Sequence, residues 1–231
     1  MGRPRAPVYP AFMRIRAAVI ALATAGSLVA TMGPALAAGS AEQRMLTKQD
    51  VPASFGTPTS YDFDAKIIGK AIGICDNASG QTLVSVAAPP KQFLVDIETK
   101  NKRTYTDVME RVYQFESEAK AQDAFTELSG KMSACDGTST LKQGGPNLKQ
   151  TVTTGSYPGG QYQDFWVNVS GTWTGGDLKK PSQTVLRAMY VQAGNALIET
   201  VAYVNGRSAL TSQQIDDLAD LAEVLAGRWV S

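Results

Sequence analysis

The sequence predicts an α+β fold of two layers, a mainly antiparallel sheet with helices packed on one side, held by one disulfide. Three observations carry this prediction. Two segments, 117–135 and 211–229, place apolar residues at helical spacing behind good capping residues, whereas the chain between them is rich in Tyr, Thr and Val and broken by short Gly-containing turns. Successive strands joined by such short turns pair antiparallel, and helices segregated from an antiparallel sheet form an α+β layer architecture. Finally, the chain has only two cysteines, Cys75 and Cys135, both downstream of a segment with the composition of an export signal.

That segment is residues 1–37. Arg3, Arg5, Arg14 and Arg16 form a basic region without an acidic residue, Ala17 to Ala30 is apolar, and Ala35-Leu36-Ala37 supplies the small-x-small pattern of a cleavage site. An uncleaved anchor helix is the alternative, but the apolar run is shorter than the ~20 residues a span needs and is diluted by Thr24, Gly26 and Ser27. Translation starts at Met1 or at Met13, which opens a complete signal by itself. No cysteine near the cleavage site offers a lipid attachment point, so no stable membrane anchor is expected after cleavage. The expected product is secreted or extracellular, or cell-wall associated. Residues 38–44 are small and polar and read as a flexible leader, and 45–231 as a single domain.

Removing the signal leaves 18 basic against 21 acidic residues, a net charge of 3 negative. This disfavours nucleic acid and anionic membrane surfaces as partners, because both require a clustered positive surface. The chain has no histidine, which removes Ser-His-Asp and Cys-His nucleophile activation, histidine-based zinc sites and the usual general base near neutral pH. No cofactor or metal is expected. In an oxidising compartment Cys75 and Cys135 most simply form a disulfide, and closing a loop of 60 positions stabilises by about 4 kcal/mol in the chain-entropy picture.

In chain order, residues 45–52 read as a helical turn capped by Thr47 and ended by Pro52. Residues 61–90 are less decisive. Asp62 and Asp64 share a face, 75–80 read as a turn, and 81–86 as a strand. Residues 103–115 read as a strand whose alternation is too impure to choose a core face. Ser117 then caps a helix with a stripe of Ala121, Ala124, Phe125, Leu128 and Met132, which carries Cys135 toward the sheet. Residues 148–155 and 161–174 form a hairpin around Tyr157-Pro158-Gly159-Gly160, with Phe165, Val167, Val169 and Trp173 on the core face. A second hairpin joins 184–192 to 196–204. The latter strand is apolar on both faces and reads as central. Thr211 and Gln214 make a capping box for the last helix, with a stripe of Ile215, Leu218, Ala219, Ala222, Leu225 and Trp229. Its acidic residues Asp216, Asp217, Asp220 and Glu223 read as a solvated face.

The candidate ligand-binding residues lie on the other face of the 161–174 strand. Tyr162, Asp164, Trp166 and Asn168 would set two aromatic plates and two polar groups in a row, which suits sugars, peptides or amphiphiles. A loop or the amino-terminal arm packed over Trp166 would instead make the face structural.

Three segments carry a resemblance: VYQFESEAKAQDAFTELSGKMSAC, VLRAMYVQAGNALIETVAYV and TSQQIDDLADLAEVLAGRW. In this order they are similar to the PknH-like extracellular sensor domain family of actinobacteria, named for a serine/threonine kinase. The resemblance spans roughly Leu46 to Trp229 and implies an α+β domain with a ligand-binding cleft, here in an exported member without a kinase. Met132 stands where the family pattern often has Trp, and the 196–204 strand has no cysteine for a second disulfide. The expected function is an exported, non-catalytic ligand-binding or sensor-like domain of the cell envelope, its partner a small envelope molecule or an exported protein. The alternative is an envelope carrier or partner-binding protein for a lipid or another exported protein. A carboxylate-based hydrolase is a third, since it needs two acids in one cleft.

Overall fold

The structure is a computed structural model and describes residues 40–230 apart from 66–68, 78, 102–103, 143–145, 158–159 and 177. The expected signal, 1–37, lies outside the described residues. From the leader, Ser40 and the single helical turn α1 (Ala41–Arg44) are described. Residues 47–50 form a turn in which the backbone and hydroxyl of Thr47 both donate to Asp50 at 2.7 Å, and a 3-10 turn follows at Ala53–Phe55.

Eleven strands are seen among the described residues: β1 (Thr57–Pro58), β2 (Asp62–Asp64), β3 (Ala71–Asp76), β4 (Thr82–Ala87), β5 (Lys91–Asn101), β6 (Thr104–Gln114), β7 (Gly137–Lys142), β8 (Pro146–Gly155), β9 (Gln163–Gly175), β10 (Ser182–Ala193) and β11 (Ala196–Asn205). Helix α2 (Glu118–Lys131) lies between β6 and β7, and α3 (Ser212–Gly227) ends the domain. Nine strands form one sheet in the order β1-β5-β6-β11-β10-β9-β8-β7, with β2 also pairing β5, and every pairing is antiparallel. Strands β3 and β4 form a separate hairpin.

The α+β, antiparallel architecture is as expected, but the helices do not share one side of the sheet. Residues alternate faces along a strand, and in β11 Ala196, Ile198, Ala202 and Val204 pack in the core under α3, whereas Leu197 and Val201 pack in the core under α2. The central strand therefore needs a cover on each face. On the α3 face, Leu218, Leu221, Ala222 and Leu225 meet Val95, Ile97, Val108 and Val112 as well as β10 and β11. On the α2 face, Phe125 and Leu128 pack with Phe165, Val167, Tyr190 and the β3–β4 hairpin. Phe165 stacks on Tyr190 at 4.7 Å and meets Phe125 at 5.4 Å.

Both helices begin as their sequences indicate. Ser117 accepts from the Lys120 amide, and Thr211 and Gln214 close a reciprocal capping box. The disulfide joins Cys75 in β3 to Cys135 just beyond α2, with Cα atoms 5.8 Å apart. It fixes the β3–β4 hairpin to the α2 layer. On the other face Arg228, just beyond α3, forms a two-pronged pair with Asp50 at 2.6 and 3.0 Å, and the Leu46 amide donates to the buried Glu110 carboxylate at 2.6 Å.

Candidate functional site

Among the described residues each face of the sheet is covered over only part of its width, and the two parts they leave uncovered lie on opposite faces at opposite ends. The first is the α3 face of β7, β8 and β9. Register places Thr140 beside Lys149 and Thr172, Thr138 beside Thr151 and Ser170, and Thr153 beside Asn168. Thr138, Thr140, Lys149, Thr151 and Thr153 are exposed, and Asn168, Ser170 and Thr172 are half-buried. The reverse side of these strands carries Leu141, Leu148 and Trp173 as a small apolar cluster. Polar side chains on one face and apolar ones on the other explain why only one side is covered.

The residues expected to bind ligand occur where this open face meets the α3 core. Trp166 is half-buried, and its indole lies over Gly155 on the neighbouring strand, in space that a Cβ would fill. The Arg187 guanidinium sits on the indole, 4.1 Å from its centroid. Arg187 is 6 % exposed and donates from Nη2 to the Tyr157 hydroxyl at 3.1 Å. Asp164 accepts the Tyr157 amide at 2.8 Å, and Glu223 of α3 accepts the Gln161 amide at 3.2 Å, so two carboxylates hold the loop before β9. Burial, with Glu223 nearby, pushes the Asp164 carboxyl above its ordinary range against the pull of that hydrogen bond. Tyr162 packs against the α3 core near Gly227. Thus Tyr162 and Asp164 are placed together at the loop, Trp166 supports Arg187, and Asn168 stands on the open threonine face. An open recess of about 360 Å³ is lined by Tyr157, Tyr162 and Asp164 on one side and by Phe125, Ser129 and Met132 of the α2 layer on the other.

The second uncovered part is the α2 face of β2, β5 and β6. Asp62 pairs with Asp96 and Glu98 with Asp107, so four carboxylates share one patch. Burial, then the neighbouring acids, raises Asp96 to about 6 and Asp107 to about 7. Toward the centre of the sheet Arg111 meets Glu199 at 2.7 Å, and Tyr190 donates to the same carboxylate at 3.0 Å. Glu199 holds the Arg111 charge firmly, while burial and Glu199 push the Tyr113 and Tyr190 hydroxyls up. Both oxygens of Glu199 accept hydrogen bonds within this network. Among the described residues no three of His, Cys, Asp and Glu are grouped to hold a metal ion. Asp62 stands out in the sequence, but Asp96, Glu98 and Asp107 become its neighbours only through the pairing of β2, β5 and β6. Phe93, Val95, Ile97 and Thr99 against Gln92, Leu94, Asp96 and Glu98 is the alternation that could have revealed β5.

Among the described residues no helix is long and apolar enough to cross a membrane. A comparison with curated proteins found no match. Among solved structures, the crystal structure of the extracellular domain of PknH from Mycobacterium tuberculosis is similar with a TM-score of 0.50 at 15% identity, over 80% of this chain and 94% of that one. Identity that low speaks to the fold alone. The family model of the PknH-like extracellular domain matches residues 36–226, and by that match the chain belongs to the PknH-like extracellular domain family.

Proposed function

We propose that the protein is exported by cleavage after Ala37 and acts as a non-catalytic recognition domain for a polysaccharide of the cell envelope, bound on the open face of β7, β8 and β9. The observation that carries this reading is that face itself. It has rows of Thr hydroxyls, with Asn168 among them and the Trp166–Arg187 stack at its inner border. Hydroxyl and amide groups fixed on a rigid sheet can exchange hydrogen bonds with a sugar at little entropic cost, because the strands are already ordered. The membership of an extracellular domain family supports the location. The absence of histidine and the hydrogen bonds accepted by both Glu199 oxygens support binding over hydrolysis.

The test is an isotherm of the mature protein with polysaccharide purified from its own cell envelope. Saturable binding is expected, weakened at least tenfold by Trp166→Ala with the circular dichroism spectrum retained. Equal affinity of the folded variant would refute the site, and release of a cleaved product on long incubation would refute the non-catalytic reading.

A further inference from the structure

Arg187 lies on β10 in an otherwise apolar run, Val185 to Val191, with Val185, Met189 and Val191 pointing the same way. A guanidinium remains charged in any protein environment, and a buried charge is costly unless it is paired and its donors are satisfied. Arg187 is more than nine-tenths buried. Among the described residues the ion pairs are Arg111–Glu199, Lys131–Glu127 and Arg228–Asp50, and Arg187 is in none of them. Its charge is met by the faces of Trp166 at 4.1 Å and Tyr157 at 5.7 Å, and its Nη2 donates to the Tyr157 hydroxyl. Its Nε has no hydrogen-bond partner. Asp164, on the same strand as Trp166, is committed to the Tyr157 amide and is not paired with the arginine.

The place of this residue relative to the open face is fixed by register. Arg187 pairs with Asn168, and Asn168 pairs with Thr153, so the three residues occupy one row of positions across three strands, with the guanidinium carried onto Trp166 at its inner end. All three can donate hydrogen bonds, and the row runs from the buried border to exposed Thr153. The stack on Trp166 holds the guanidinium plane in place, and Gly155 leaves room for the indole. A planar, pre-oriented fork of N–H groups next to further donors is the arrangement that recognises an oxyanion.

We infer that the row Arg187–Asn168–Thr153 is a subsite for an anionic substituent, a carboxylate or a phosphate monoester, carried by the ligand of the open face. This rests on the reading of that face as a saccharide-binding surface and narrows it to acidic saccharides. The ligand would supply the acceptor that the buried guanidinium lacks.

The experiment is a titration of the mature protein, labelled with ¹⁵N-arginine, with three probes at constant ionic strength: glucuronate, glucose 6-phosphate and glucose. The Arg187 Nε–H resonance, assigned by its loss in Arg187→Lys, is expected to shift saturably with at least one acidic probe and to stay in place with glucose. Which acidic probe acts distinguishes a carboxylate from a phosphate. An equal shift with glucose would overturn the anion subsite while leaving saccharide binding intact. No shift with any probe would also overturn the subsite, and the polysaccharide isotherm of the wild-type protein then decides the broader reading separately. Asn168→Asp, which places a carboxylate beside the guanidinium, is expected to reduce the response to the acidic probe at least tenfold. An unchanged response would count against the row as the site.

Discussion

The two uncovered parts of the sheet handle charge in opposite ways. On β7, β8 and β9 the open face is rich in hydroxyls and amides and carries Lys142 and Lys149, and one buried arginine at its border is supported by aromatic rings rather than by a carboxylate. On β2, β5 and β6 four carboxylates crowd one another, and Asp96 and Asp107 are pushed up to about 6 and 7 by burial and by their neighbours. The contrast separates two meanings of an open polar face. Hydroxyls and amides on a rigid surface offer hydrogen bonds without mutual repulsion, whereas clustered acids tax the fold as they ionise.

The largest way to disturb this arrangement is to release the cover behind the threonine face. The β3–β4 hairpin is tied to the α2 layer by Cys75–Cys135, and Gln150 of β8 donates to the Asp76 carbonyl at 3.4 Å. Cys75→Ser with Cys135→Ser should destabilise by about 2–5 kcal/mol. That corresponds to a fall in melting temperature of about 5–15 °C, and thermal denaturation followed by circular dichroism checks it. Gly155→Ala comes next. Its added methyl falls on the Trp166 indole, and displacing the indole and its stacked arginine should cost about 1–3 kcal/mol, read by denaturant unfolding.

On the acidic side the effect depends on pH. Asp96, Asp107 and the buried Glu110, raised to about 8 mainly by burial, all hold a proton more tightly in the folded protein than in the unfolded chain. The stability they contribute is complete below about pH 4 and is lost as pH rises through about 6, 7 and 8. Asp50 acts in the opposite sense. Burial opposes its ionisation, but the Arg228 pair and the Thr47 bonds bring its carboxyl below the ordinary value, so its contribution is present above about pH 4 and lost at lower pH. The double variant Asp96→Asn, Asp107→Asn should therefore raise the melting temperature at pH 8 and change it little at pH 4. A uniform shift at both values would contradict the assignment. The smallest effect is expected on the threonine face, where Thr151→Val should alter stability by no more than about 0.5 kcal/mol.

Much of this was legible in the residues. The Ser117 cap, the Thr211–Gln214 capping box, the disulfide and the two hairpins follow from local chemistry, and local chemistry is what a single sequence displays. The side on which each helix packs was also written in β11, since Ala196, Ile198 and Ala202 on one face and Leu197 and Val201 on the other each call for an apolar cover. One apolar layer could not have served both. Strand β6 is legible as a strand but its core face is not, because its buried row, Thr106, Val108, Glu110 and Val112, contains a carboxylate, while Met109 and Tyr113 sit buried in the opposite row. Glu110 is buried for a nonlocal reason, the Leu46 amide 64 residues earlier. At the candidate site, Tyr162, Asp164, Trp166 and Asn168 could be named from alternation. Arg187, on which Trp166 rests, belongs to another strand and was visible only as one cation in an apolar run.

The most direct test of the recognition surface is calorimetric binding of the mature wild-type protein and two variants to polysaccharide purified from its own cell envelope. Thr153→Trp places a bulky ring on the open face of β8, and Asp107→Asn alters the acidic patch at the other end of the sheet. Saturable binding that is lost in Thr153→Trp and unchanged in Asp107→Asn is the predicted result. Binding that survives Thr153→Trp and disappears in Asp107→Asn would contradict it.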